Sequence, residues 1–103
     1  MIHVVAIITA KPGQRDAVLQ AVRQNLPAVR AEEGCLEYTP VVDAEGMGSI
    51  ATELGADTFA VIEKWASRDA LMAHSKAPHM AQYAARVRDL IGVRAVHVLK
   101  SAV

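Results

Sequence analysis

Residues Ile2 to Ala10 are apolar at nearly every position and rich in β-branched side chains, the pattern of a strand covered on both faces. Lys11-Pro12-Gly13 breaks the run. Apolar residues return at Val18, Ala21, Val22, Leu26 and Val29, which fall on one face of a helix. The spacing predicts a helix from Gln14 to about Glu32, kinked or split near Asn25 because Pro27 withholds a backbone donor. Glu33-Gly34 offers a left-handed stop, and Cys35 to Val42 reads as a second strand. Asp43 to Asp57 holds three glycines and no period. Its fifteen residues are long for a hairpin connection and read as an extended arm or a flap. Thr58 to Trp65 alternates as a third strand, with Phe59, Val61, Glu63 and Trp65 on one face and Ala60, Ile62 and Lys64 on the other.

Ser67 is suited to cap a short helix from Arg68 to about His74, with Asp69 complementing its dipole. Pro78 is placed to begin another helix and Gly92 to end it after Ile91, leaving Val93 to Leu99 as the last strand. The order β-α-β-β-α-β, with the second helical segment in two pieces, is the split βαβ or ferredoxin-like plan of the α+β class: an antiparallel four-stranded sheet with helices on one face. The first and last strands are nevertheless apolar on both faces. A domain of this size buries only ~60 to 65% of its chain surface alone, and a wet apolar sheet face costs ~25 cal/mol per Å². The pattern therefore predicts a homodimer whose two sheets pack face to face about a two-fold axis.

Composition narrows the function. The 103 residues form one domain, 1–103, with 52% apolar and 21% charged residues, which excludes a disordered chain. Eleven Lys and Arg balance eleven Asp and Glu, so neither nucleic acid nor an anionic membrane surface is an expected partner. A small neutral molecule fits better. The single cysteine, Cys35, makes no internal disulfide. The apolar start lacks a cationic leader, and Lys11 comes too early for a membrane span. A cytoplasmic protein is expected.

Three segments are specific in combination. Ala10-Lys11-Pro12-Gly13 follows the first strand, Glu32-Glu33-Gly34-Cys35-Leu36-Glu37-Tyr38 follows the first helix, and Glu63-Lys64-Trp65-Ala66-Ser67-Arg68-Asp69-Ala70-Leu71-Met72-Ala73-His74 closes the third strand. Together they resemble the antibiotic biosynthesis monooxygenase family over Ile2 to Leu99. The resemblance implies a dimeric α+β barrel. It also implies a quinol-monooxygenase-like activity: oxidation of a phenolic or hydroquinone-type aromatic by O2, with no flavin or metal cofactor. The loop from Asp43 to Asp57 is longer than the short hairpin the resemblance implies.

Such chemistry needs a base to make an electron-rich phenolate, donors to hold the oxyanion, and an apolar cavity. His74 shares a helical face with Ala70 and Leu71, opposite Met72, and is the first choice of base, though a histidine there also serves as a helix-end residue. Trp65 carries an indole N–H and a stacking surface; a core tryptophan is the plainer reading, and the resemblance places it beside the pocket. Tyr83 sits with Met80, Val87, Leu90 and Ile91 as a buried donor, while His79, the reserve base, and Arg86 fall at the edges of that helix. Glu63 needs a partner such as His74 or Arg86 if buried, and orients the histidine or merely anchors a loop.

His3 and His97 read as satisfied residues of the dimer face or sheet edge, and Cys35 as a small hydrophobe. His74 and His79 diverge by about 140° on a continuous helix. No zinc, phosphate-loop or dinucleotide motif is present. Haem-degrading relatives carry an Asn on the first strand, where this chain has Val5 to Ile8. The leading expectation is thus a cofactor-independent monooxygenase acting with His74, Trp65, Tyr83 and Glu63. The alternatives are a non-catalytic dimeric module for a small ligand or partner, and a lyase or isomerase using the same histidine.

Overall fold

The computed structural model describes residues 1–103. In chain order the elements are β1 (Ile2–Ala10), α1 (Arg15–Arg30), β2 (Cys35–Val41), β3 (Thr58–Trp65), α2 (Arg68–Ser75), α3 (Pro78–Val87) and β4 (Ile91–Leu99). The strands form one antiparallel sheet in the order β2-β3-β1-β4, the ferredoxin-like arrangement that the element order implies.

Register sorts the side chains. Val4 pairs with Glu63, Ala6 with Val61 and Ile8 with Phe59, while Tyr38 pairs with Glu63 from the other side. These residues share the face under the helices, where Val18, Val22 and Val29 of α1 and Val87 of α3 complete the core with them. The helical layer stops short of β4. Val96 and Val98, opposite Ala6 and Val4 on that same face, remain 46% and 57% exposed. The other face of the sheet has no helix over it and carries Val5, Ile7, Ile62, Val93, Ala95 and Leu99, with His3 and His97 among them. The two histidines thus sit on the uncovered face, as their strand positions imply.

Local signals explain most boundaries. The Ser67 hydroxyl accepts the Ala70 N–H at 3.1 Å and starts α2. Gly34 has φ +81°, and a Cβ there would meet the Ala70 Cβ at 2.6 Å, so both its backbone and its lack of a side chain are required. Two expectations need correction. Pro27 lies in the last turn of α1 and one lost ladder bond there does not divide the helix, which runs from Arg15 to Arg30. Gly92 does not stop a helix: α3 ends at Val87, a 3₁₀ turn covers Arg88–Leu90, and Gly92 lies inside β4. It packs beside an irregularity in the β1 pairing, where its Cβ would come within 3.3 Å of the Thr9 carbonyl oxygen.

The segment between β2 and β3 is closed at its base. Asp43 accepts the N–H groups of Leu54 and Gly55 at 2.8 and 2.9 Å, which pulls its carboxyl below the usual range. Asp57 accepts the Gly13 N–H at 3.0 Å, and the Arg15 guanidinium donates to the Gly55 and Thr58 carbonyls. No helix is long and apolar enough to cross a membrane.

Candidate active site

A cavity of about 460 Å³ lies between the α2–α3 segment and the sheet. Its floor is Val4, Ala6, Ile8 and Val61, and its roof is Leu71, Ala77, Met80 and Ala84. Into this apolar space project the side chains of Tyr38, Glu63, His74, Tyr83 and Arg94. That volume and lining suit an aromatic molecule of two or three rings.

His74 is 7% exposed and held on three sides. Its Nδ1 lies 2.6 Å from Glu32 Oε2. The Trp65 ring stacks at 4.6 Å between centroids and 35°, and the Tyr38 ring lies tilted at 5.5 Å. Nε2 makes no hydrogen bond with the protein, and His74 is one of the residues that line the cavity. With Nδ1–H donated to a carboxylate, Nε2 carries the lone pair, the arrangement of a general base.

The same Glu32 accepts from His79, whose Nε2 lies 2.8 Å from Oε1. Glu32 lies two residues beyond the end of α1, His74 near the end of α2 and His79 in the first turn of α3. A continuous helix would point the two imidazoles apart; the break at Lys76-Ala77 lets both converge on one carboxylate. No group of three or more His, Cys, Asp or Glu is arranged to hold a metal ion.

Glu63 is 5% exposed and accepts the Trp65 indole N–H on Oε1 at 2.9 Å. Burial pushes its carboxyl above the usual range, against the opposing effects of the Trp65 hydrogen bond and of the His74 ring whenever that ring is protonated. Two site expectations are corrected here. Trp65 is wholly buried, does not line the cavity and has its N–H committed to Glu63, so it cannot offer that donor to a substrate. Glu63 does not hold the histidine, because Glu32 occupies Nδ1. Tyr83 does line the cavity, and burial raises its hydroxyl above the usual phenol value, with Arg94 and Arg86 opposing, so it is a neutral donor. Tyr38 behaves alike: burial drives its hydroxyl far upward, reinforced by Glu63. Burial also raises the Cys35 thiol, as expected of a packed cysteine and not of a nucleophile. Arg86 is exposed, does not line the cavity and donates to Gln24 at 3.0 Å.

Glu32, Tyr38 and Arg94 were not singled out by the sequence. The two strand residues carry a usable signal, since both fall at helix-facing positions by strand alternation. Glu32 carries none beyond its place before the stop at Gly34.

Comparisons with known proteins identify the family and the fold. A family model described as antibiotic biosynthesis monooxygenase matches residues 1–86, and the chain belongs to that family. Among curated relatives, the probable quinol monooxygenase YgiN of Escherichia coli K12 is 34% identical over 105 residues, covering all of both chains. Among solved structures, PA3566 of Pseudomonas aeruginosa superposes with a TM-score of 0.82 at 25% identity, over 99% of this chain and 94% of that one. Rv0793 of Mycobacterium tuberculosis gives 0.78 at 29% identity, over 97% and 93%.

Proposed function

We propose that the protein is a cofactor-independent monooxygenase that oxidises a hydroquinone-type or related phenolic aromatic with O2. The observation that carries this reading is His74, which lines an apolar cavity of about 460 Å³ and whose Nε2 has no protein partner. Membership of the family and likeness to a probable quinol monooxygenase support the reaction class.

In this reading the aromatic lies between the sheet floor and the α2–α3 roof. His74 Nε2 takes the phenolic proton, and the Tyr38 and Tyr83 hydroxyls and the Arg94 guanidinium are the donors available to the oxyanion. The phenolate gives up electrons to O2 far more readily than the neutral phenol. One oxygen atom ends on a ring carbon, displacing its hydrogen; the other leaves as water. The four electrons accepted by O2 come from that C–H and from conversion of the quinol to a quinone. Trp65 and Glu63 act as positioning residues behind His74 in place of the direct contacts expected from sequence.

We further infer a homodimer. The helix-free sheet face presents Val5, Ile7, Ile62, Val93 and Leu99, the last two 66% and 47% exposed in the single chain, and a second copy of the same face covers them.

The test is oxygen uptake by the purified protein with a panel of anthrones and hydroquinones, compared with His74→Ala. Uptake that falls about a hundredfold in the variant is expected from loss of a general base. Tight binding of the panel without uptake refutes the oxygenase and favours a ligand-binding module. Turnover that persists under nitrogen refutes it in favour of a lyase or isomerase.

A further inference from the structure

We propose that Glu32 sets the tautomer of His74 and that His79 holds the Glu32 carboxyl in place, two positioning residues in a His79–Glu32–His74 chain that ends at the cavity. The proposal rests on the reading of His74 as the base, and deepens it by stating what makes Nε2 the basic nitrogen.

A neutral imidazole carries one N–H, and which nitrogen bears it follows from the stronger acceptor nearby. Glu32 offers two acceptor oxygens and no donor when ionised. His74 Nδ1 lies 2.6 Å from Oε2 and His79 Nε2 lies 2.8 Å from Oε1. Each ring therefore turns its hydrogen toward the carboxylate. For His74 this leaves Nε2 bare toward the substrate; the opposite tautomer would present an N–H to the substrate and could accept no proton. The side chain of Glu32 is 16% exposed and that of His74 8%, so bulk water competes little for these bonds.

His79 completes the chain from outside. Its side chain is 25% exposed, and its bond to Oε1 fixes the rotation of the carboxyl group so that Oε2 stays on His74. Its own Nδ1 is buried without a hydrogen-bond partner. Leaving a buried polar atom unpaired is unfavourable, and a residue present for stability alone would be better replaced by one with no second nitrogen. The arrangement is what the bond to Glu32 requires: Nε2 bears the hydrogen and Nδ1 is left over.

Glu32→Gln is the discriminating variant. It is isosteric, but its amide presents one oxygen and one NH2. Only one of the two imidazoles can still direct an N–H at it; the other faces a donor and must move its hydrogen to the far nitrogen. The readout is the two-bond ¹⁵N–¹H correlation spectrum of the histidine rings, recorded on the protein alone near neutral pH. In the unaltered protein the expected pattern is Nδ1–H for His74 and Nε2–H for His79. In Glu32→Gln one of the two rings switches tautomer. An Nε2–H tautomer of His74 in the unaltered protein, or no switch in either ring of the variant, overturns the proposal.

A second variant, His79→Phe, removes the donor to Glu32 Oε1 and leaves the Glu32–His74 bond in place. Its His74 is expected to keep the Nδ1–H tautomer, with kcat on the best panel hydroquinone lowered about tenfold and KM unchanged. Full kcat in this variant removes His79 from the chain. The ring spectra need no substrate, so absence of oxygen uptake would refute the oxygenase reading while leaving the tautomer assignment to stand or fall by itself.

Discussion

Replacing Glu63 by Gln is expected to stabilise the protein at neutral pH and to leave it unchanged in acid. The carboxyl is 5% exposed, makes no salt bridge and accepts one hydrogen bond, from the Trp65 indole at 2.9 Å. Desolvating a carboxylate costs several kcal/mol, and a hydrogen bond to a charged acceptor returns about 1.5 to 3 kcal/mol. The carboxyl lies above its ordinary value of 4.5 with burial as the leading cause, so the unfavourable contribution is the larger. Gln keeps an oxygen for the indole, worth about 1 kcal/mol, and removes the charge. A net gain on the order of 1 kcal/mol follows, or about 4 to 8 °C in Tm for a domain of this size. The sign follows from linkage: a carboxyl with a raised folded-state value binds its proton more tightly when folded. Its contribution is favourable below the unfolded value and is lost as pH rises through the folded one. The advantage of Gln is therefore absent below about pH 4 and grows as pH rises through the folded-state value. Thermal melts followed by circular dichroism across that range, at one protein concentration, measure it. A variant less stable than the parent at neutral pH, or equally stabilised at every pH, would refute the reasoning.

Trp65→Phe removes the only donor to Glu63 and part of the stack on His74; urea unfolding is expected to show a loss of about 1 to 3 kcal/mol, and a loss within error would mean that the buried carboxyl has another partner. Gly34→Ala forces a side chain onto a φ of +81° and to within 2.6 Å of Ala70; a destabilisation above about 2 kcal/mol is expected in the same assay. Ile7→Glu puts a charge in the middle of the helix-free sheet face; sedimentation equilibrium is expected to find a dimer for the parent and a monomer for the variant, and equal masses for the two would refute the face-to-face dimer.

How far the sequence could be read depended on how local the governing interaction is. The alternation in Thr58 to Trp65 correctly puts Glu63 and Trp65 on one face, and the Ser67 cap fixes the start of α2. Both signals span a few residues. The partner of Glu63 was missed because two side chains on one strand face can each reach elsewhere; the choice depends on what buries them. Glu32 was missed for a stronger reason. Its partners lie 42 and 47 positions away, and they meet only because α1 ends where α2 gives way to α3. Gly92 shows the converse error: a glycine after an apolar helical run looks like a stop, but here it is demanded by a close strand-to-strand approach at the Thr9–Ala10 irregularity.

The helical layer reaches three strands of a four-stranded sheet, and the cavity opens at that shortfall, with Val96 half bare along its wall. A guest molecule would therefore finish the hydrophobic packing that the polypeptide leaves undone. Occupancy and folding free energy are then linked, with a stabilisation that grows as the logarithm of guest concentration over its dissociation constant. Screening compounds by their effect on melting temperature thus ranks candidate guests without any assumption about a reaction.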